Sequence, residues 1–353
     1  MVDRSSPLPA YFQISRALRA RISSGEWKPG SQLPAEPELA RQYAVSRMTM
    51  RQAIQELVRE GTLSRRRGSG TFVNLSFVEL LGAPAAHAAE AISQRALQLQ
   101  EVYARLREVA LPDARHHWDF SLFFPDFTGN DLCVQALCQC EVYRTARVVF
   151  IAPDNSLTLM RQRALQDGKT VMVPTAGIAR GFRLFEPGSV PPGQEPFSAL
   201  MDGMERYSRA VSLEEIGRMK IDLMVSGLLV ITPGGMRWGH GYGYFDLEWG
   251  IFRLLGAVAE ETPVAAIGHD CQVVELEDGA APSESETLAD WIITPTRLIH
   301  TRRSLSRPNG VIWKQYSPEL ITHMRVLKEL KDLLDTPAQL AGVQINTYSI
   351  GGR

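Results

Sequence analysis

Residues 221–252 read IDLMVSGLLVITPGGMRWGHGYGYFDLEWGIF, an apolar segment followed by a glycine-rich loop and a second apolar segment. The run Asp222–Thr232 predicts one or two strands, and the residues from about Asp246 onward predict a helix. A strand that leads through a glycine loop into a helix is typical of an open α/β sheet. Such sheets bind ligands at the carboxyl ends of their strands.

The chain around this unit repeats the alternation of short strands and helices. Strands are predicted at Arg147–Ala152, Thr170–Pro174, Val264–Gly268 and Trp291–Thr294. Helices are predicted at 92–109, 157–167 and 248–258. Strands separated by helices of ten to fifteen residues predict parallel βαβ units with helices on both faces of the sheet.

The glycine loop has the composition of an anion site. Alternating Gly239, Gly241 and Gly243 allow backbone N–H groups to converge on phosphate oxygens, and the helix start adds partial positive charge. Arg237 supplies a fixed cation, and Asp246 can hold a magnesium ion beside phosphates. A glycine-rich turn needed only for tight packing is the alternative interpretation.

The first seventy residues predict three helices and a hairpin. Ile14, Leu18 and Ile22 form the apolar stripe of a helix that ends near Gly25, and a second short helix runs from about Pro34 to Tyr43. Ser46 can cap a third helix that ends at Gly61. Its buried stripe is predicted to be Met50, Ile54, Leu57 and Val58.

The third helix and the hairpin behind it carry arginines. Arg47 and Arg51 lie four residues apart, so both point to one side of the helix and can reach guanine edges or phosphates. Thr62–Arg65 and Thr71–Val73 are predicted strands, joined by a turn rich in arginine and glycine. The alternative for these arginines is a solvated basic face.

Residues 7–73 resemble the winged helix-turn-helix head of the GntR family of bacterial transcription regulators. The resemblance rests on SGEWKPGSQLPAEPELARQYAVSRMTMRQAIQELVREG and RRRGSGTFV. It implies DNA contacts from Ser46, Arg47, Thr49 and Arg51 on the recognition helix and from Gly68 and Ser69 in the wing. Arg66 and Arg67, in the turn of the hairpin, are further expected DNA contacts. A regulator that binds as a dimer would place two recognition helices about one DNA turn or a multiple apart, so a palindromic operator is expected. Pro37 stands where the family usually has a DNA-contacting arginine, so the operator preference is expected to differ.

The distribution of charge fits this head. Residues 1–76 carry a net charge of +6, whereas the remaining residues carry −7, and the whole chain carries −1. A basic head on an acidic body is expected when only the head meets a polyanion. Four cysteines, at 133, 138, 140 and 271, form no disulfide framework for a chain of this size. With no apolar run long enough for a membrane span, we expect a cytoplasmic protein.

Residues 95–316 resemble the 5-formyltetrahydrofolate cyclo-ligase family, and more closely its divergent cyclo-ligase-like branch. The stretches that carry the likeness are DGKTVMVP, the segment 221–252, TPVAAIGHDCQVVE, ADWIITPTRLIHTRR and RPNGVIW. The resemblance implies a NagB/CoA-transferase-like three-layer α/β sandwich with a mostly parallel sheet. In the enzymes of this family, ATP activates the formyl oxygen of 5-formyltetrahydrofolate before ring closure.

The family's ligand residues match this chain in part. Those of the ATP-phosphate loop are all present, namely Arg237, Gly239, Gly241, Gly243, Tyr244 and Asp246. Asp154 is the carboxylate nearest to the glutamate that the enzymes present to the pterin and formyl group. The lysine and arginine of the enzymes' first helix have no clear counterpart, and a late His-Asp pair is replaced near residues 284–287.

Two functional interpretations remain. The preferred one is a transcription regulator whose body binds a folate or nucleotide effector; the other is an ATP-dependent cyclo-ligase, using Mg²⁺, that carries a DNA-binding head. The expected boundaries are 7–75 for the head, 76–94 for a linker, 95–330 for the body and 331–353 for a tail. His240 and His269 are either pocket residues or structural ones, and Trp238, Tyr242 and Trp249 either stack on a ligand ring or pack in the core.

Overall fold

The chain divides into two compact units, Met1–Ala83 with Gln315–Leu320 and Pro84–Lys314 with Ile321–Arg353. The computed structural model describes residues 9–23, 26–27, 31–59, 63–66, 70–73, 98–99, 101–112, 123–238, 243–275, 284–303, 305–316 and 318–335. The expected linker 76–94 and nearly all of the expected tail lie outside these ranges. The four expected domain boundaries therefore stay predictions.

The first unit is a winged helix-turn-helix. Its elements are α1 (Ala10–Ser23), α2 (Glu36–Gln42), α3 (Arg47–Arg59), β1 (Leu63–Arg66) and β2 (Gly70–Val73). The apolar stripe of α1 is buried as its spacing predicts, with Ile14 and Leu18 at 0% exposure. These side chains pack with Leu39 and Met50 in one hydrophobic core. Burial of one face of each helix orients α3 within the unit.

The cap of α3 fixes where this helix begins. The Ser46 hydroxyl accepts a hydrogen bond of 3.1 Å from the Thr49 backbone N–H, which would otherwise have no partner at the helix start. Met50, Ile54 and Leu57 are buried on the side that faces the core. Val58, the fourth expected member of the stripe, is partly buried.

The wing is an antiparallel pair of strands. β1 and β2 pair from Leu63 opposite Val73 to Arg66 opposite Gly70. β1 lies one residue later than the predicted strand Thr62–Arg65, and β2 begins one residue before the predicted start at Thr71. Residues 67–69, which join them, lie outside the described part of the chain.

An eight-stranded mixed sheet forms the centre of the second unit. Its strands are β3 (Val148–Ile151), β4 (Thr170–Pro174), β5 (Phe182–Phe185), β6 (Arg209–Val211), β7 (Leu223–Gly227), β10 (Val264–Ile267), β11 (Trp291–Ile293) and β12 (Leu298–His300). They lie in the order β12-β11-β10-β7-β3-β4-β5-β6. The five strands from β11 to β4 are parallel, whereas β12, β5 and β6 join antiparallel. The parallel centre agrees with the sequence pattern.

A two-stranded ribbon follows β7. It consists of β8 (Val230–Ile231) and β9 (Arg237–Trp238), which pair antiparallel. The segment Asp222–Thr232 therefore yields two strands, one in the main sheet and one in the ribbon. The turn between β8 and β9 places Arg237 close to the carboxyl end of β7.

The described helices that follow the first unit in the chain are α4 (101–109), α5 (Asn130–Gln139), α6 (Glu141–Thr145), α7 (Thr158–Gln166), α8 (Glu195–Ser198), α9 (Leu213–Ile216), α10 (Tyr244–Leu254), α11 (Pro318–His323) and α12 (Arg325–Asp335). All of them belong to the second unit except α11, which crosses the division between the units at Leu320 and Ile321. No described helix is long and apolar enough to cross a membrane. The three-layer arrangement expected from the resemblance stays a prediction.

Two differences from the sequence expectations concern where helices lie. The helix α10 begins at Tyr244 and ends at Leu254, whereas the sequence pattern predicted a start near Asp246 or Glu248 and an end at Val258. It begins early because Gly243 adopts a left-handed conformation, with φ 53°, and turns the chain directly into the helix. The helix α5 had no counterpart in the sequence analysis, and its apolar residues are weakly periodic.

Candidate DNA-binding surface and ligand site

The outward face of α3 is basic. Arg47 and Arg51 are exposed, whereas Met50, Ala53 and Leu57 of the same helix are buried in the core. In a helix of 3.6 residues per turn, positions four apart lie on nearly one line, which explains why both arginines face outward. The arrangement agrees with the placement expected from the sequence.

A carboxylate on α2 holds two arginines of this surface. Glu36 accepts hydrogen bonds from Arg51 of α3 at 3.1 Å and from Arg65 of β1 at 2.6 Å, one on each carboxylate oxygen. The Glu36 side chain is 22% exposed, and those of Arg51 and Arg65 are 57% and 41% exposed. Glu36 thus connects the recognition helix to the wing. The sequence analysis did not single out Glu36 or Arg65.

The side-chain hydroxyl groups of Ser46 and Thr49 are hydrogen-bonded to each other. Their hydroxyl oxygens are 2.8 Å apart, in addition to the cap that Ser46 makes to the Thr49 backbone. Both residues therefore shape the start of α3, and DNA contact by either stays a prediction. The side chain of Arg66 and all of Arg67, Gly68 and Ser69 lie outside the described residues, so their contacts stay predictions as well.

In the second unit, charged side chains gather at the carboxyl edge of the parallel sheet. Asp154 follows β3, Ser226 and Gly227 end β7, and Asp246 lies in the first turn of α10. This is the edge where open α/β sheets bind ligands. The structure therefore brings together Asp154, Arg237 and Asp246, which the sequence analysis grouped as ligand residues.

Arg237 is bound on all three of its guanidinium nitrogens. Nη1 donates to Ser226 Oγ at 2.7 Å, Nη2 to Asp246 Oδ1 at 3.3 Å and Nε to the Thr287 carbonyl at 3.3 Å. Its side chain is 12% exposed, and its guanidinium carbon lies 4.4 Å from the centre of the Phe245 ring. Arg237 therefore joins β7, α10 and the segment before β11. It acts as a structural bracket in addition to any contact with a ligand.

The two aspartates of the site accept backbone hydrogen bonds. Asp246 Oδ1 accepts from the Thr287 N–H at 2.8 Å, and Asp154 Oδ2 accepts from the Gly227 N–H at 2.9 Å. Gly227 is required at this contact, because a Cβ atom there would lie 2.7 Å from Asp154 Oδ2. That Thr287 and its neighbours replace the His-Asp pair of the family's enzymes stays a prediction.

Burial raises the pKa values of the carboxyl groups at this site. It raises the pKa of Asp154 to about 6, although the Gly227 N–H and two arginines oppose the rise. It also raises the pKa of Asp246, against the charge of Arg237. Glu248, 2% exposed on α10, has a pKa well above its usual range because of burial and then the charges of Asp154 and Asp246. The sequence analysis missed Glu248, whose helical position alone does not reveal its neighbours.

Of the remaining expected ligand residues, the structure describes Gly243 and Tyr244. The Tyr244 hydroxyl lies near the turn after β4, since a Cβ atom at Gly177 would be 3.3 Å from it. Gly243 begins α10 in a left-handed conformation. Gly239, His240, Gly241 and Tyr242 lie outside the described residues, so phosphate binding by the loop stays a prediction.

Two residues with open roles have structural contacts. His269 Nδ1 accepts a hydrogen bond of 3.2 Å from the Cys271 N–H and caps a short 3-10 turn at Asp270–Gln272. Trp249 is fully buried and donates from Nε1 to the Pro308 carbonyl at 2.8 Å. Both observations favour the structural interpretation. Trp249 could stack on a ligand ring only if its side chain, which is fully buried, became exposed.

The described residues include no group of three His, Cys, Asp or Glu side chains placed to hold a metal ion. Asp246, the expected magnesium ligand, already uses Oδ1 to accept from Arg237 and Thr287. Magnesium is usually bound by one or two carboxylates together with substrate phosphates, rather than by an all-protein cage. Magnesium at Asp246 therefore stays a prediction that requires a phosphate ligand as the second source of oxygens.

Comparison with protein families agrees with the two units. The model of the 5-formyltetrahydrofolate cyclo-ligase family matches residues 89–285, more than half of the chain. The chain belongs to this family. Residues 10–73 match the model of bacterial regulatory proteins of the gntR family, so the head is a GntR domain. Both resemblances stated from the sequence are confirmed.

Curated relatives match one part or the other. The cyclo-ligase domain is similar to the human methenyltetrahydrofolate synthase domain-containing protein, with 35% identity over 211 residues, which is 59% of this chain and 54% of that protein. The GntR domain is similar to the HTH-type transcriptional repressor NagR of Bacillus subtilis (strain 168), with 48% identity over 73 residues, 21% of this chain and 30% of NagR. The chain spans about half the length of the human relative.

Two solved structures are similar to parts of the chain. The DNA-binding domain of AraR in complex with operator ORX1 is 42% identical, covers 19% of this chain and 80% of that chain, and has a TM-score of 0.18. The 5,10-methenyltetrahydrofolate synthetase of Aquifex aeolicus is 18% identical, covers 60% of this chain and 95% of that chain, and has a TM-score of 0.37.

Proposed function

We propose that this protein is a sequence-specific DNA-binding transcription regulator whose cyclo-ligase-family domain binds a folate or nucleotide effector. The proposal includes a homodimer on a palindromic operator in the cytoplasm. One observation carries it: the GntR domain exposes Arg47 and Arg51 on the outer side of α3, while the inner side is buried. Guanidinium groups at the start of a recognition helix are suited to guanine edges and phosphates.

The state of the ligand site favours sensing over catalysis. Every nitrogen of Arg237 donates inside the protein, and Asp246 Oδ1 is also occupied. Phosphoryl transfer depends on several cations placed to stabilise developing charge. Arg237 uses three of its five N–H groups inside the protein, and this partial commitment favours holding a ligand over stabilising a transferred phosphoryl group.

The first experiment tests DNA binding by the complete chain. Duplexes are selected from a random pool with the purified protein, and affinity for the enriched duplex is compared with affinity for random duplex across a range of salt concentrations. A specific binder retains a preference for the enriched duplex as salt rises. Equal affinity for both duplexes at every salt concentration would refute the proposal.

A second candidate function is ATP-dependent cyclo-ligase activity. It is favoured by the gathering of Asp154, Arg237 and Asp246 at the carboxyl edge of the sheet. The deciding assay follows the absorbance of methenyltetrahydrofolate after ATP, Mg²⁺ and 5-formyltetrahydrofolate are added. Robust turnover would replace the effector-binding role by a catalytic one, without altering the proposal for the GntR domain.

A further inference from the structure

The recognition helix α3 exposes a large apolar side chain at its second residue. Met48 is 71% exposed, more than any other large hydrophobic side chain of the described residues. The other methionine of this helix, Met50, is fully buried in the core of the first unit. Met48 therefore contributes less to the core than Met50 does, and its thioether side chain is available on the outer face of α3.

The neighbours of Met48 on this face are polar or basic. At 100° per residue, Arg47, Met48, Arg51 and Gln52 share one side of α3, and all four are exposed. The hydroxyls of Ser46 and Thr49 are turned to each other at the helix cap. The exposed side chains at the start of α3 are thus two guanidinium groups, one amide and one thioether.

We propose that Met48 reads a thymine by contacting its 5-methyl group in the major groove. This inference rests on the proposed DNA-binding function. The thymine methyl is the apolar group that base pairs present on the major-groove edge, and apolar side chains discriminate it there. A flexible thioether adapts its shape to such a contact. The flanking arginines supply the charge that brings this face of α3 onto the phosphate-lined groove.

The test removes the methyl group from the DNA while keeping the base pair. Each thymine of the duplex enriched by the full chain is replaced in turn by deoxyuridine, and dissociation constants are measured by fluorescence anisotropy. We expect one position in each half-site at which the wild-type protein loses about fourfold in affinity, the effect of one buried methyl-sized group. Other thymines should change affinity by less.

The same duplexes are then measured with Met48→Ala, which removes the apolar partner. Met48 is exposed, and alanine is a better helix former, so this variant is expected to fold. It should bind the unmodified duplex about fourfold more weakly and lose nothing further at the sensitive deoxyuridine. Met48→Leu, which keeps an apolar side chain, should retain the loss at deoxyuridine.

Three results would overturn the inference. One is a wild-type protein that tolerates deoxyuridine at every position. Another is an equal loss at deoxyuridine in wild type and Met48→Ala, which would mean that the methyl acts through the DNA itself. The third is a change in sedimentation of Met48→Ala without DNA, which would assign the side chain to contact between copies. A protein with no preference among duplexes at all would instead refute the proposed function.

Discussion

Arg51 of the recognition helix donates from Nε to the carboxylate of Glu36 on α2, over 3.1 Å. The Arg51 side chain is nevertheless 57% exposed. The second oxygen of Glu36 accepts from Arg65 of the wing strand. An arginine held in this way loses less side-chain freedom when it binds a base, because its orientation is already set.

Glu36→Gln is expected to lower specificity while raising general affinity. The variant removes one negative charge near the phosphates, so binding to random duplex should strengthen. It also weakens two exposed ion pairs, each worth about 0.2–1 kcal/mol, so the preference for the operator should fall by about 1 kcal/mol. Glu38→Gln is the matched control, since Glu38 is an exposed acid on the same helix. Identical behaviour of the two variants would show that Glu36 acts only by its charge.

Arg47→Ala and Arg51→Ala are expected to weaken operator binding by about 1–3 kcal/mol each if the arginine reads a base. An arginine that contacts only phosphate should instead weaken all duplexes alike and reduce the salt dependence by about one counterion. Arg325→Ala, at an exposed arginine of α12, controls for the loss of one positive charge. Both predictions are measured as operator and random-duplex affinities at several salt concentrations. Unchanged affinities in both variants would contradict the assignment of the α3 face.

The elements that the sequence predicted best are those set by local patterns. The stripes of α1 and α3, the cap at Ser46 and the parallel strands β3, β4, β7 and β10 follow from periodicity and from capping chemistry. The strands β5, β6 and β12 escaped the analysis. They have three or four residues each, and β6 and β12 are largely exposed. Their pairing with the sheet edges is a tertiary property.

The sequence predicted which residues lie at the candidate ligand site, but it did not predict which atoms each of them contacts. Arg237 was assigned to phosphate because of its place beside a glycine loop. Its contacts with Ser226 and Thr287 join residues 11 and 50 positions away, which no local pattern reveals. Burial of Glu248 beside the two aspartates has the same origin. The sequence identifies the edge of the sheet, whereas the hydrogen bonds that arrange it depend on the fold.

Arg237→Met is expected to destabilise the second unit by about 2–4 kcal/mol. The change removes three hydrogen bonds and leaves the Asp246 carboxylate without its cation in a largely buried place. Denaturant unfolding gives the free energy. Arg163→Met provides the control, because its pair with Asp167 is an exposed helical one and should cost about 0.5 kcal/mol.

The double variant Arg237→Met with Asp246→Asn separates charge from packing. In the double variant the side chain at 246 carries no charge, so the loss of the Arg237 cation leaves no unpaired carboxylate. The free energy of unfolding should therefore exceed the value expected from adding the two single effects by about 1 kcal/mol or more. Strict additivity would show that the two side chains are not energetically coupled. The structural role of Arg237 would then rest on its hydrogen bonds to Ser226 and the Thr287 carbonyl.

Gly227→Ala is expected to disturb Asp154 specifically. The new Cβ atom would lie 2.7 Å from Asp154 Oδ2 and 2.8 Å from Ser156 Oγ, so the carboxylate must move and lose its bond to the Gly227 N–H. Such overpacking costs about 1–3 kcal/mol. Calorimetric titration with folates, ATP and ADP should show weakened binding of whichever ligand binds the wild-type protein. Gly234→Ala is the control, since its nearest atom would be 3.7 Å away. Equal behaviour of the two variants would exclude a role for the Asp154 position.

The acid–base behaviour of Asp154 predicts how stability depends on pH. The folded protein holds this proton more tightly than the unfolded chain, because burial raises the pKa of Asp154 to about 6, compared with about 3.9 in an unfolded chain. The contribution of protonated Asp154 to the free energy of unfolding is therefore fully present below about pH 4, and it is lost as the pH rises through about 6. Glu248, whose pKa is raised by burial as well, acts in the same direction.

Asp154→Asn should remove the Asp154 part of this dependence. Scanning calorimetry between pH 4 and 7 should show that the free energy of unfolding falls less steeply in Asp154→Asn than in the wild type, since asparagine carries no titrating proton. Asp202→Asn, at an exposed aspartate, should leave the slope unchanged. Parallel pH profiles for wild type and Asp154→Asn would mean that Asp154 titrates alike in the folded and unfolded states. The carboxylates at the sheet edge would then be solvated, and a ligand would meet charged rather than protonated groups.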